Sequence, residues 1–232
     1  MTDTLQGKNV VILGGSSGIG FAVAALAATQ GAQVFALSRS GKAPDSTKGM
    51  KVNVSDRNAL GLALGAIGRI DHLAHTVGAR FGSPPVASLE ETLLPTVFEA
   101  KLFSAIHAVR LALPHMAADG SITFTSGQVS RKYGTGSATK GALNAAVDAA
   151  GRHLAKELAP RRVNVVSPGV VDTSLWGEAG SDARNALIAR ASTTLPVGRV
   201  GQPEELARAY VFLMTNGFVT GAVLDIDGGG LL

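Results

Sequence analysis

The sequence predicts an α/β protein built on a doubly wound parallel sheet of about seven strands, with helices on both faces. Short apolar runs rich in Val and Ile alternate with longer helical patterns along the 232 residues. Such runs are typical of parallel strands that are covered on both sides. A glycine cluster follows the first run directly and opens a helix, which favours a strand–turn–helix unit.

The predicted elements follow one another in regular alternation. The helical patterns are Ile19–Gln30, Arg57–Ile67, Pro95–Leu113, Ser137–Leu158 and Pro203–Met214. The strand segments are Val10–Leu13, Gln33–Ser38, Met50–Val52, His72–Thr76, Ile122–Ser126, Val163–Ser167 and Ala222–Ile226, and Gly41–Gly49 is predicted to be a polar loop. Because ligands of doubly wound sheets bind beyond the carboxyl ends of the strands, we expect those ends to line one crevice.

The segment Val10–Gly20 reads VVILGGSSGIG, an apolar strand that stops at glycines before a helix. Glycine allows a tight turn at Gly14 and a close approach of the backbone to a bound group at Gly18 and Gly20. The N–H groups and the positive dipole end of the helix favour a phosphate. These features predict a Rossmann-type dinucleotide-binding turn. The contacts predicted in this turn are Gly14, Ser16, Ser17, Gly18, Ile19 and Gly20.

Composition and charge narrow the classes of function. A chain of this length fits one domain, 1–232, and no linker or repeat divides it. The net charge of +4 is scattered and only 5% of residues are aromatic, which disfavours a nucleic-acid partner. The chain has no cysteine, which excludes disulfides and thiol catalysis, and no metal site is predicted. We expect a cytoplasmic location without membrane contact, since no membrane span or secretion signal is evident.

Several longer motifs resemble those of one enzyme family. Besides GGSSGIG, they are LAKELAP at Leu154–Pro160, RVNVVSPGVVDT at Arg162–Thr173, GRVGQPEEL at Gly198–Leu206 and the closing VTGAVLDIDGGG. Across nearly the whole chain these segments resemble the short-chain dehydrogenase/reductase family. The resemblance implies a nicotinamide cofactor, hydride transfer with a small-molecule substrate, and a homodimer or homotetramer.

The end of the second predicted strand bears on the choice of cofactor. An acidic residue there would bond the ribose hydroxyls and repel a 2′-phosphate, but this chain has Ser38, Arg39 and Ser40. A guanidinium makes forked, charge-assisted contacts with a phosphate, and hydroxyls add donors. In the family that the sequence resembles, this pattern accompanies NADP(H). We therefore predict that NADPH is preferred over NADH.

The resemblance implies further cofactor contacts at the ends of later strands. Asn53 and Val54 stand where the family has an Asp–Val pair beside the adenine, and Asn still offers an acceptor oxygen. The turn at His75, Val77 and Gly78 matches the family's Asn-Asn-Ala-Gly, with a packed and hydrogen-bonded histidine as the favoured interpretation of His75. The contacts implied around the nicotinamide are Lys140, Pro168, Gly169, Val170, Val171 and Thr173.

The catalytic positions are where the chain departs from the family. The family has a Ser at the end of the fifth strand, an Asn on the preceding helix and Tyr-x-x-x-Lys on the following one. The phenol protonates the carbonyl as hydride arrives, and the nearby ammonium lowers the pKa of that phenol. Lys140 matches the lysine, but Gly136 stands at the Tyr position, Gly127 at the Ser position and Lys101 at the Asn position.

Two hydroxyl side chains are candidates to replace the missing phenol. Tyr133 lies in the loop before the helix and could swing towards Lys140; the alternative is a ring that packs the loop or faces solvent. Ser126, next to Gly127, could turn its hydroxyl into the site. Lys101 either packs its stem along the helix with its charge in water, or is buried near Lys140, where two like charges would depress one pKa.

Three functions are compatible with these residues. The first is an NADP(H)-dependent oxidoreductase with unusual proton donation. The second is a catalytically silent NADP(H)-binding sensor or structural subunit, and the third uses the cofactor for isomerisation or dehydration. The segment around 169–195 is predicted to form a lid over the crevice. The variable loops 79–88 and 169–190 hold no charged cluster that would demand an ionic substrate.

Overall fold

Seven parallel strands form one sheet in the order β3-β2-β1-β4-β5-β6-β7. This computed structural model describes residues 4–78, 81–82 and 84–232. The strands are β1 Asn9–Leu13, β2 Gln33–Ser38, β3 Lys48–Lys51, β4 Ile70–His75, β5 Met116–Thr125, β6 Arg162–Pro168 and β7 Val223–Ile226. The strand order reverses between β1 and β4, so the ligand crevice of this topology lies at their carboxyl ends. The predicted doubly wound α/β fold is confirmed.

Helices cover both faces of this sheet. They are α1 Gly18–Thr29, α2 Arg57–Ile67, α3 Leu93–Phe98, α4 Ser104–Ala112, α5 Ala138–Glu157, α6 Asp182–Thr194 and α7 Pro203–Thr215, and a π-helical turn, Glu99–Phe103, joins α3 to α4. One core lies between the sheet and α2, α4 and α5, and the other lies between the sheet and α1 and α7. Within the described ranges, no helix is both long and apolar enough to span a bilayer.

Three sequence predictions about these elements were wrong in part. β3 begins at Lys48, inside the predicted loop Gly41–Gly49, because this edge strand is largely exposed and lacks an apolar pattern. The helix predicted as continuous over Pro95–Leu113 is interrupted by the π-helical turn. The predicted helical patterns omit α6, because this helix buries none of its residues and so has no apolar stripe that a sequence could reveal.

Close packing of α5 on β6 brings the helix that carries Lys140 against the centre of the sheet. Gly151 makes this possible, because a Cβ there would overlap the side chain of Val165. Replacing Gly151 by Ala is therefore expected to lower the free energy of unfolding by about 1–3 kcal/mol, as overpacking does in dense cores. Urea denaturation measures the change.

Gly61→Ala is the matched control inside α2. Its new Cβ would meet Leu111 at 3.5 Å, an ordinary contact, and removing glycine from a helix interior stabilises by about 1 kcal/mol. Opposite signs for the two variants support the close approach of α5, and equal effects would contradict it.

Candidate active site

The turn from β1 into α1 forms a cradle at the carboxyl edge of the sheet. Gly14 and Gly18 have positive φ angles of 91° and 54°, which L side chains rarely adopt. A Cβ on Gly20 would overlap the Gly14 carbonyl and the Thr76 hydroxyl. The N-cap residue Ser17 makes no side-chain hydrogen bond to the first turn of α1. The turn therefore has the backbone features of the anion-binding helix start that the sequence predicts.

The segment after β6 comes over the same helix start. Thr173 is buried, and a Cβ on Gly18 would lie 3.3 Å from its methyl carbon. The Trp176 indole donates to the Val171 carbonyl at 2.8 Å, and Arg184 forms an ion pair with Asp172 at 2.7 Å. The Thr173 contact places this segment against the start of α1, and the other two bonds stabilise the segment itself.

The carboxyl end of β2 contains the residues predicted to select the cofactor. The Ser38 hydroxyl is buried, accepts from the Gly41 backbone N–H at 3.0 Å and lies 3.3 Å from the Ser40 hydroxyl. Arg39 is exposed, and none of the ion pairs or hydrogen bonds among the described residues engages its guanidinium. Farther along, the Asn53 side-chain oxygen accepts from the Ser55 N–H at 3.2 Å, and this oxygen has a second lone pair.

His75 ends β4 with its imidazole turned into the interior. Its Nε2 lies 2.9 Å from the Ser104 hydroxyl, which itself donates to the Ala100 carbonyl at 2.8 Å. Since that hydroxyl proton is committed, His75 Nε2 is the donor of the pair. Burial lowers the pKa of His75 to about 3, so the ring is neutral. The packed interpretation is confirmed, and we correct the inclusion of this side chain among the cofactor contacts.

Lys140 lies in the first turn of α5 on the crevice side. Its ammonium is 5.2 Å from the centre of the Phe81 ring, within the range of a cation–π contact. Partial burial lowers the pKa of Lys140. Phe81 was not foreseen from the sequence, because it is a lone aromatic residue in a variable loop. Ala79, Arg80 and Ser83 of that loop lie outside the described residues.

Gly136, which the resemblance places at the family's tyrosine position, lies outside α5. Gly136 has a φ of 73°, and the helix begins two residues later at Ala138. Tyr133 is 91% exposed, so this conformation turns its ring to solvent rather than towards Lys140. By contrast, Ser126 is only 5% exposed, and its hydroxyl has no hydrogen-bond partner within the described chain.

Lys101 is held by two oxygen acceptors beside this serine. Its ammonium donates to the Ser126 carbonyl at 2.9 Å and to Asn144 Oδ1 at 2.6 Å. Burial lowers the pKa of Lys101 to about 8, against the opposing attraction of Asp148. Of the two alternatives for Lys101, the structure has the buried ammonium, and its pKa is lowered by burial and not by Lys140. Asn144 and Asp148 were not foreseen, since no local pattern identifies them.

Comparisons with known proteins agree with this geometry. A family model described as enoyl-(acyl carrier protein) reductase matches residues 14–230. The chain is 33% identical to the short-chain dehydrogenase/reductase ATR9 of Stachybotrys chlorohalonatus, covering 99% of each protein. It is 32% identical to NADPH-dependent aldehyde reductase 1, chloroplastic, of Arabidopsis thaliana, covering 100% of this chain and 88% of that protein.

A solved structure extends the similarity to three dimensions. The crystal structure of a small-chain dehydrogenase in complex with NADPH matches with a TM-score of 0.89 and 36% identity. The match covers 97% of this chain and 99% of that one. From its sheet, its glycine turn and these matches, the chain belongs to the short-chain dehydrogenase/reductase family of oxidoreductases.

Proposed function

We propose that this chain is an NADP(H)-dependent oxidoreductase that acts on a carbonyl or alcohol group of a small molecule without the family's phenol. The observation that carries the proposal is the buried Ser126 hydroxyl at the end of β5, which lacks a partner within the described chain. A buried hydroxyl without a hydrogen bond costs free energy. The hydroxyl oxygen is enclosed in this conformation, so the proposal requires that substrate binding opens a path to it and supplies the missing partner.

The binding side of the proposal rests on the cradle and on the cationic corner after β2. The glycine turn would hold the diphosphate, Arg39 with Ser38 and Ser40 the 2′-phosphate, and Asn53 with Val54 the adenine. The nicotinamide end would meet Val77, Gly78, Lys140, Pro168, Gly169, Val170, Val171 and Thr173. The similarity to an NADPH-dependent aldehyde reductase and to a small-chain dehydrogenase solved in complex with NADPH supports this choice of cofactor.

The chain's own residues would orient the reactants and supply a proton. The bound cofactor supplies or accepts the hydride. The Ser126 hydroxyl would pass its proton to the substrate oxygen and take up another from solvent water, and Lys140 would hold the nicotinamide ribose. Orientation alone can contribute several kcal/mol to lowering the barrier. A weaker acid than a phenol therefore slows the reaction without abolishing it.

A catalytically silent NADP(H)-binding protein is the second candidate. The Tyr133 ring is exposed to solvent and Gly136 has no side chain, so neither residue offers a proton to a bound substrate. Both observations favour this candidate. Both candidates share the cofactor site, so turnover separates them.

We also propose that the chain forms a homodimer or homotetramer through α4 and α5. Phe103 precedes α4 directly and Ile106 lies within it, and they are 43% and 40% exposed. The exposed face of α5 carries the alanines Ala142, Ala145 and Ala149, which permit close approach of another helix. We also propose that the segment around 169–195 forms a lid over the crevice. The chain would then be one domain, 1–232.

Replacing Arg39 by Asp tests the cofactor assignment. The carboxylate would repel the 2′-phosphate and bond the ribose hydroxyls, so the preference for NADPH over NADH should reverse or flatten. The ratio of the two dissociation constants, from fluorescence titration, is the measurement. Lys42→Asp, which makes the same charge change three residues away, is the control. An unchanged ratio in Arg39→Asp would refute the role of the guanidinium.

Replacing Ser126 by Ala tests the proton donor. We expect kcat/KM for NADPH-dependent reduction of aldehydes and ketones to fall at least about a hundredfold, the usual effect of losing a general acid. The Kd for NADPH should stay the same. Tyr133→Phe is the matched control and should retain the rate. A loss confined to Tyr133→Phe would transfer the role to Tyr133, and a parent protein that binds NADPH but reduces no carbonyl would favour the silent protein.

Restoring the family's residues one at a time tests the backbone at the catalytic positions. Gly136→Tyr should lower the free energy of unfolding by about 1–2 kcal/mol, because a side chain is strained at positive φ. Gly127→Ser should change stability by less than about 0.5 kcal/mol. Its backbone is extended, and the new Cβ would meet Asn144 Oδ1 at 3.4 Å. Equal stabilities in urea denaturation would contradict the left-handed turn at Gly136.

A further inference from the structure

Lys101 occupies the inward-facing row of α3 and α4, at the π-helical turn between them. The other members of that row are apolar or small and buried: Val97, Ser104, Ala105 and Ala108. The stem of Lys101 is partly exposed, whereas its ammonium is enclosed. Burying a cation without hydrogen-bond or charge partners costs free energy. We would therefore expect an uncharged residue here if the side chain only filled space.

The partners of this ammonium belong to two different elements of the site. One is the backbone carbonyl of Ser126 at the end of β5, and the other is the side-chain oxygen of Asn144 on α5. Because the oxygen of Asn144 accepts from Lys101, the orientation of its amide is determined. Its Nδ2 then donates to the Lys140 carbonyl at 2.8 Å.

Charged and titratable groups around Lys101 come from α5 and β4. Asp148, one turn beyond Asn144, stabilises the ammonium, and its own Oδ1 is buried without a hydrogen-bond partner in the described part of the chain. His75 on β4 is neutral, and the charge of Lys101 helps to lower its pKa. The attraction of Asp148 thus favours the charged form of Lys101, which the two hydrogen bonds also require.

We infer that Lys101 is a positioning residue that acts on both functional ends of the site. Through Asn144 it holds the first turn of α5, and with it the direction from which Lys140 reaches the nicotinamide ribose. Through the Ser126 carbonyl it holds the strand end that presents the Ser126 hydroxyl. This inference rests on the proposed cofactor role of Lys140.

Two ligands that share one end of NADPH test the inference in the full-length protein. Adenosine 2′,5′-bisphosphate has the adenine and the 2′-phosphate but lacks the nicotinamide ribose. Lys101→Met should weaken NADPH binding about tenfold, a usual size for a residue that acts through a network. Binding of adenosine 2′,5′-bisphosphate should remain unchanged. Equal weakening of the binding of both ligands would indicate a general loss of structure and would overturn the inference. Unchanged binding of both ligands would also overturn it.

Two further variants show whether the effect passes through Asn144. Asn144→Ala should weaken NADPH binding to a similar degree, and the double variant Lys101→Met/Asn144→Ala should be no worse than the stronger single variant. Lys101→Arg, which keeps the charge, should restore part of the affinity. Full additivity in the double variant would overturn the proposed path.

Hydrogen exchange of the unliganded protein separates this inference from the cofactor proposal. Lys101→Met should accelerate exchange of backbone amides at 141–145 relative to the parent protein, whereas Lys101→Arg should not. Unchanged exchange would overturn the positioning role whether or not NADPH binds. A parent protein that binds neither ligand but shows this change in exchange would contradict the proposed cofactor and leave the positioning of α5 intact.

Discussion

The close contact of the first turn of α1 with the ends of β1 and β4 determines where the rest of the site lies. Thr76 closes this contact, since its backbone N–H and its hydroxyl both donate to the Leu13 carbonyl at 2.8 Å. On the helix side of the contact, the space beside Gly20 is too small for a side chain. With the helix start held there, its anion-binding end faces the crevice into which the later strands deliver their ends.

The second constraint is electrostatic and concerns what replaces the phenol. In the family that this chain belongs to, one ammonium serves a tyrosine and the cofactor together. Here Gly136 lies outside α5, and Lys140 lies near Phe81. A second ammonium, that of Lys101, is enclosed among backbone and amide oxygens. Enclosing a cation costs free energy that its hydrogen bonds and Asp148 must offset. In the proposed site without the family's phenol, the enclosed ammonium of Lys101 would act as a charged anchor.

Local patterns predicted the sheet and the glycine turn because apolar runs and positive φ angles are properties of short segments. They placed the start of β3 too late and missed α6, because the exposed residues of both elements carry no apolar signal. The interruption at Glu99–Phe103 also has no signature in the sequence. In the site, the resemblance located Lys101 and Lys140, but the bonds of Lys101 depend on how the π-helical turn packs on α5. Only the folded chain reveals that packing, and with it the true cause of the lowered pKa.

The main chain and the side chain of Ser126 differ in their hydrogen bonding. Its backbone N–H donates to the Val166 carbonyl at 2.9 Å, and its own carbonyl accepts from Lys101. A main chain held on both sides cannot relax to give the buried hydroxyl a protein partner. In the proposed mechanism, the oxygen atom of a bound substrate supplies that partner. The two bonds to the main chain of Ser126 would then fix the strand end from which its hydroxyl acts.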